Sequence, residues 1–178
     1  MKKLAVLFMV AALSASCFCG CGSKADDSAA SSDSAASSTS AETTSAGGYT
    51  YTIDGTEIAM NAEMAPIVEK LGEADKYFES ESCAFQGLDK VYTYGSVQIT
   101  TYPVDEVDYV FSIELKDDTV ETPEGICIGD SSDKVTEAYG DGGEVSDSAI
   151  VYKDSNCTLT FILSDGSVTN ITYTAVTD

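Results

Sequence analysis

The sequence predicts an α+β fold in which two tandem strand-helix-three-strand repeats form an antiparallel sheet with short helices on one face. The first observation is that residues 125–140 (GICIGDSSDKVTEAYG) have the pattern of a strand, a capped turn, a helix and a glycine stop. The second is that this pattern occurs twice at a constant offset of 68, which places Ile126 on Ile58 and Gly140 on Gly72. One such unit is too small to close a core alone, so the two units are expected to share one sheet.

The first repeat covers about residues 55–118, and its start overlaps a segment in which residue types alternate. Residues 49–60 alternate around Asp54-Gly55, a dipeptide that favours a two-residue hairpin turn. Asn61 is expected to cap a helix that ends at Gly72, with Pro66 in its first turn. The polar residues 73–82 predict a loop, and strands are expected at 90–94, 97–102 and 109–115.

The second repeat covers about residues 119–176 and has the same order of elements. Asp130 or Ser131 is expected to cap a helix over residues 132–139, which the glycines of 140–143 end. Strands are predicted at 149–152, 158–163 and 167–174, with Asp165-Gly166 as a second hairpin turn.

The two units share a short strand, a turn with Gly-Asp or Ser, a short helix ending in a hydrophobic residue and Gly, and antiparallel strands. The second unit closes on Asp-Gly-x-Val-x-x-Ile, which begins at Asp165. This pattern, over residues 58–173, resembles the β-lactamase inhibitor protein and the small outer-membrane assembly lipoproteins. It also resembles uncharacterised tethered lipoproteins of Gram-positive anaerobic bacteria. The resemblance implies helices on one face of an antiparallel sheet and a non-enzymatic, protein-binding role.

The first 20 residues predict a lipoprotein signal peptide. Lys2 and Lys3 precede an apolar run of about ten residues, which is too short for a membrane span of about 20. Small residues and cysteines follow, an arrangement that resembles the lipobox, where cleavage leaves a diacylglyceryl cysteine. Cys21, within a Gly-Cys-Gly-Ser run, is the preferred lipidation site, and Cys17 is the alternative.

Residues 21–48 predict a lipidated cysteine followed by a disordered, Ser/Ala-rich tether. Residues 25–46 contain only Ala, Ser, Thr, Asp and Glu and cannot bury enough apolar surface to offset the entropy of ordering. A flexible coil of this length spans roughly 25 Å. The expected location is therefore the extracytoplasmic face of the cell membrane, with residues 49–178 as a lipid-anchored domain.

The domain is strongly acidic. It holds six of the nine basic residues and 26 of the 30 acidic ones, a formal charge of −20, with no arginine or histidine. Such a surface repels phosphates, which argues against nucleic acid as a partner. The charge favours a basic protein partner, and acidity also keeps a secreted protein soluble.

The residue types argue against most catalytic and metal sites. Without histidine, Ser-His and Cys-His nucleophiles are excluded, and the cysteine spacings fit no zinc site. We therefore expect no catalytic residues, no metal and no cofactor. The alternative is a carboxylate-based hydrolase of cell-wall glycan or peptide, which would use carboxylates from one of two groups. These groups are Asp105, Glu106 and Asp108, and Asp130 and Asp133.

The domain has three cysteines, so one is left over from any pairing. Cys127 lies in the first strand of the second repeat and Cys157 opens a central strand, so a Cys127–Cys157 disulfide is one option. Cys83 bonded to either of them, and three reduced thiols, are the others.

The strand alternation predicts a helix-free sheet face rich in threonine. In 110–115 and 158–163 the inward residues are expected to be Phe111, Ile113 and Leu115, and Leu159, Phe161 and Leu163. The opposite face is the predicted binding face. Its expected residues are Gln98, Thr100, Tyr102, Ser112, Glu114, Thr158, Thr160, Asn170, Thr172 and Thr174.

Overall fold

The computed structural model of the protein describes residues 48–177. The predicted signal peptide, both candidate lipidation sites, Cys17 and Cys21, and nearly all of the tether lie outside these residues. The described chain contains no helix that is both long and apolar enough to span a membrane.

Ten strands and two helices make up the described chain, and their bounds are as follows. The elements are β1 (Thr50–Ile53), β2 (Thr56–Ala59), α1 (Met64–Leu71), β3 (Lys76–Glu81), β4 (Leu88–Tyr94), β5 (Val97–Val104), β6 (Val107–Leu115), α2 (Ser132–Tyr139), β7 (Glu144–Val145), β8 (Ala149–Lys153), β9 (Cys157–Ser164) and β10 (Ser167–Ala175).

The predicted α+β repeat class is wrong, because the fold is mainly β. Strands take 51% of the described residues and helices 12%. Each helix has only eight residues, and four strands rather than three follow each of them. The additional strands are β3, within the expected loop of residues 73–82, and the two-residue β7.

The main sheet has eight antiparallel strands in the order β3-β4-β5-β6-β10-β9-β8-β7. β6 and β10 join its two halves, with Ile113 opposite Tyr173 and Leu115 opposite Ile171. β1 and β2 form a separate two-stranded hairpin. Its turn residues, Asp54 and Gly55, both have positive φ angles, 47° and 78°, as the tight hairpin turn requires.

One hydrophobic core lies between the main sheet and the two helices. Met64 and Ile67 of α1 and Val135 of α2 are buried in it. They belong to the same buried cluster as inward residues of the sheet, so both helices pack on the same side. Within residues 48–177 no helix lies on the opposite side of the sheet, which we call the open face.

The two helix starts differ in how far they agree with the sequence-based expectation. Ser131 caps α2, since its hydroxyl accepts a hydrogen bond from the Lys134 amide at 3.3 Å. Asn61 does not cap α1, whose N-cap is Glu63. Asn61 instead pairs with β6, because its backbone amide donates a hydrogen bond to the Val110 carbonyl at 2.9 Å. It adopts a left-handed φ of 62°.

Candidate binding face

All ten residues of the predicted binding face lie on the open face. β5, β6, β10 and β9 are adjacent, and each residue is half-buried between its neighbours. The registers of these strands align eight of the residues in two rows across the sheet. The rows are Gln98, Glu114, Thr172 and Thr160, and Thr100, Ser112, Thr174 and Thr158.

A short polar chain orders the centre of this face. The Thr172 hydroxyl donates to Asn170 Oδ1 at 2.7 Å, and Asn170 Nδ2 donates to Glu114 Oε1 at 2.8 Å. Lys116 Nζ lies 3.0 Å from the same Glu114 oxygen. These contacts hold the side chains in defined positions, so the face presents a preorganised pattern of donors and acceptors.

Tyr102, at one end of the face, is packed into an aromatic cluster. Its ring centroid is 4.9 Å from Phe85 and 5.9 Å from Tyr109. Its hydroxyl donates to Asn61 Oδ1 at 2.9 Å. Tyr102 is therefore a structural part of the face and offers less free contact surface than the sequence suggested.

The assignment of Phe111 to the inward set is wrong. A β-bulge shifts the β5–β6 register between Thr100, opposite Ser112, and Thr101, opposite Val110. Phe111 is the extra residue, and its ring lies 6.0 Å from Tyr102 and 6.3 Å from Phe85. The bulge removes Phe111 from the inward alternation and places it in the aromatic cluster.

Sequence reasoning missed the apolar residues of the open face. Ile162 lies opposite Asn170 and is 40% exposed, while Val91 lies opposite Thr100 with Phe78 beyond it. Ile162 could have been found, because it lies between the inward residues Phe161 and Leu163 and must therefore point outward. The face therefore combines central polar rows with apolar residues at its flanks.

The carboxylates of the alternative hydrolase lie in structural positions. Asp105 and Glu106 form the β5–β6 turn, and Asp108 is paired with Lys90 at 2.6 Å. Asp130 accepts hydrogen bonds from the Cys127 amide and Lys134 Nζ, both at 2.8 Å. The hydrogen bond from the Cys127 amide, with a smaller contribution from Lys134, holds the pKa of Asp130 below its usual value. A carboxyl group with a lowered pKa does not suit the role of general acid.

Asp133 belongs to neither arrangement. It lies in the first turn of α2, where a negative charge stabilises the helix dipole. The carboxylates of both predicted groups therefore have structural roles in turns, ion pairs and helix ends.

A cleft of about 490 Å³ lies between the β1–β2 turn, the end of α1 and the β4–β5 turn. Asp54, Glu73 and Asp75 line it together with Tyr94. Asp75 Oδ2 accepts a hydrogen bond from the Gly95 amide at 2.7 Å, and the Tyr94 hydroxyl donates to the Gly72 carbonyl at 3.1 Å. Two of its polar groups therefore hold the surrounding loops together.

The option of a Cys127–Cys157 disulfide is not realised, because Cys83, Cys127 and Cys157 are all free thiols. The Cys127 thiol donates to Asp130 Oδ2 at 3.4 Å in the turn before α2. Cys157 is buried at the start of β9, where burial raises the pKa of its thiol to about 12. Over residues 48–177, no group of three or more acidic or cysteine side chains is arranged to hold a metal ion.

Searches against family models, curated proteins and solved structures found no match to this chain.

Proposed function

We propose that the protein is a lipid-anchored, extracytoplasmic lipoprotein whose domain binds an envelope or extracellular protein through the open face, without catalysis. The observation that carries the proposal is the set of ten half-buried polar side chains on the helix-free side of the sheet, eight of them aligned in two rows. The lipid anchor at Cys21 and the tether would hold this face away from the membrane.

The open face has the properties of a contact surface. Its threonine hydroxyls both donate and accept hydrogen bonds, and their short side chains lose little rotational freedom on binding. The strands hold them rigidly, and exposed apolar groups such as Ile162 and Phe78 flank them. A partner could therefore bury both polar and apolar area without first ordering the surface.

The formal charge of −20 for the domain favours a basic partner. Long-range attraction would accelerate association and would weaken as salt screens it, with a Debye length of about 10 Å at 0.1 M. Capture of the partner should therefore decrease as the salt concentration rises.

The test introduces three lysines on the open face, Thr100→Lys, Thr160→Lys and Thr174→Lys, in one variant. No two of these residues are directly opposite each other, so like charges are not paired in the sheet. Envelope extracts are passed over the immobilised protein, and the captured proteins are identified by mass spectrometry. We expect a protein that the original chain captures and the variant does not.

A matched control changes the charge by the same three units on the helices. It carries Ala65→Lys, Glu69→Gln and Ala138→Lys, all at exposed positions. The control should retain the partner. Equal capture by all three proteins, with unchanged circular dichroism, would remove the open face as the site, and equal loss in both variants would show an effect of net charge alone.

The carboxylate hydrolase stays the alternative because the cleft between α1 and the β4–β5 turn holds three carboxylates. This alternative predicts pH-dependent release of product from a panel of cell-wall glycans and peptides. Asp54→Asn and Glu73→Gln should abolish that release if the cleft is catalytic.

A further inference from the structure

A second surface lies at the free edge of β3. β3 is the terminal strand of the eight-stranded sheet, and all six of its residues are exposed. The opposite edge, β7, has only two residues. Proteins usually keep edge strands short or covered, so a six-residue open edge is a ready template for strand addition.

The direction of the free backbone groups follows from the hairpin that joins β3 to β4. The Ser82 amide donates to the Gly87 carbonyl at 3.0 Å, one position beyond the last strand pair. Because bonded and unbonded positions alternate in an antiparallel ladder, Tyr77, Glu79 and Glu81 direct their amides and carbonyls away from β4. These three residues present a row of backbone partners to an incoming strand.

The two sides of this edge offer different chemistry. Phe78, 62% exposed, lies beside Val91 on the open face and would contact apolar side chains of an added strand. Tyr77, Glu79 and Glu81 point to the helix side, where the Tyr77 hydroxyl donates to Glu79 at 2.6 Å. The nearby cation Lys90 is already paired with Asp108 at 2.6 Å.

The charge pattern disfavours a second copy of this chain as the occupant. Antiparallel pairing of β3 with itself, centred on Tyr77, places Asp75 opposite Glu79. A pairing centred on Phe78 places Asp75 of one copy opposite Glu81 of the other. A pairing centred on Glu79 places the Glu79 side chains of the two copies opposite each other. Each register brings carboxylates together between domains that both carry −20.

We propose that the β3 edge binds an extended basic segment of a partner protein by strand addition, with alternating basic and apolar residues. The basic side chains lie beside Glu79 and Glu81, and the apolar ones lie beside Phe78. This site is distinct from the polar rows of the open face, so it goes beyond the proposed function.

The probe is a fluorescently labelled peptide of four Lys-Val repeats, and its binding to the full chain is measured by fluorescence anisotropy. Two control peptides are used, one of four Glu-Val repeats and one fully N-methylated Lys-Val peptide that keeps the side chains but cannot donate backbone hydrogen bonds. We expect only the unmodified Lys-Val peptide to bind, with new protection of the outward amides of Tyr77, Glu79 and Glu81 in hydrogen exchange.

The decisive variant is Glu79→Pro, which removes an outward amide and leaves the β3–β4 hydrogen bonds in place. Its Kd for the Lys-Val peptide should rise about tenfold or more, since the ring also blocks the approach of a strand. The matched control Glu79→Gln removes the charge but keeps the amide, and its Kd should rise only about threefold. The open-face variant with three lysines and the control variant with three charge changes on the helices are also tested with this peptide. The two variants should show the same increase in Kd, because both change the net charge by three and neither alters β3.

Equal binding of the N-methylated peptide would overturn the proposal, because it would show attraction by charge alone. Unchanged binding to Glu79→Pro, or protection of amides outside β3 only, would place the peptide elsewhere and also overturn it. A concentration-dependent dimer of the wild-type chain that Glu79→Pro abolishes would assign the edge to a second copy. Because hydrogen exchange and the modified peptides use the unaltered chain, the test does not depend on the folding of Glu79→Pro.

Discussion

The turn between β5 and β6 is built from residues that its backbone does not favour. Asp105 and Glu106 have left-handed φ angles of 49° and 70°. Two other two-residue hairpin turns, Asp54-Gly55 and Asp165-Gly166, have positive φ at both positions and glycine at the second, with φ of 78° and 77°. The change Glu106→Gly therefore installs the sequence that this chain uses in its two other turns of the same shape.

The size of the effect follows from two opposing terms. A non-glycine residue in the left-handed region costs about 1–2 kcal/mol, which Glu106→Gly removes. Glycine adds about 0.5–1 kcal/mol of backbone entropy in the unfolded chain. The free energy of unfolding should rise by about 0.5–1 kcal/mol, which for a domain of about 130 residues raises Tm by about 2–4 °C.

The measurement is thermal and urea unfolding of the purified protein, followed by far-ultraviolet circular dichroism. Glu106→Ala is the control, because it removes the same charge and retains a Cβ in the strained conformation. It should change the free energy of unfolding by less than about 0.5 kcal/mol. The reciprocal change Gly166→Ala should destabilise by about 1 kcal/mol. If Glu106→Ala stabilises as much as Glu106→Gly, charge repulsion rather than backbone conformation is the cause.

Four further predictions concern single residues. Asp130→Asn should make the stability of the domain less sensitive to acid. Because the fold lowers the pKa of Asp130, its contribution to stability is present above its unfolded pKa and is lost as the pH falls through its folded pKa. Unfolding midpoints of both proteins between about pH 2 and 7 would show the difference. A thiol reagent at neutral pH should label exposed Cys83 and leave buried Cys157 unlabelled until the protein unfolds, as peptide mapping would show. Ile113→Ala, at a fully buried position, should lower the free energy of unfolding by about 2–5 kcal/mol in urea. Cys21→Ala should release the protein from the membrane into the medium, whereas lipid retained on that variant by mass spectrometry would move the anchor to Cys17.

The sequence predicted the strands that have one buried face. In β9, buried and exposed residues alternate from Cys157 to Leu163, and the apolar pattern of the sequence records this alternation. The residues of the open face follow from the same alternation in β5, β9 and β10. Only Phe111 departs, because a bulge leaves no mark in the hydrophobic pattern of its strand.

The error in fold class arose at the sheet edges. β3 has the sequence KYFESE and is exposed on both sides, so no periodic burial distinguishes it from a polar loop. β7 consists of two residues and is too short for any pattern. Asn61 was expected to act as a cap because of its residue type, whereas its pairing with β6 is a tertiary contact between residues 49 positions apart.

The open face and the β3 edge raise one physical problem, because an uncovered sheet with a free edge can also pair with copies of itself. The features that we assign to binding also oppose this self-association. Threonine rows and the Asn170–Glu114 contact lower the apolar area of the open face, and Glu79 and Glu81 place carboxylates at the edge. Under the proposed binding mode these charges would repel a second acidic copy and attract a basic segment, so the same residues would serve both solubility and selectivity. It follows that replacing both edge glutamates by lysine would weaken the preference for basic segments and remove the barrier between two β3 strands.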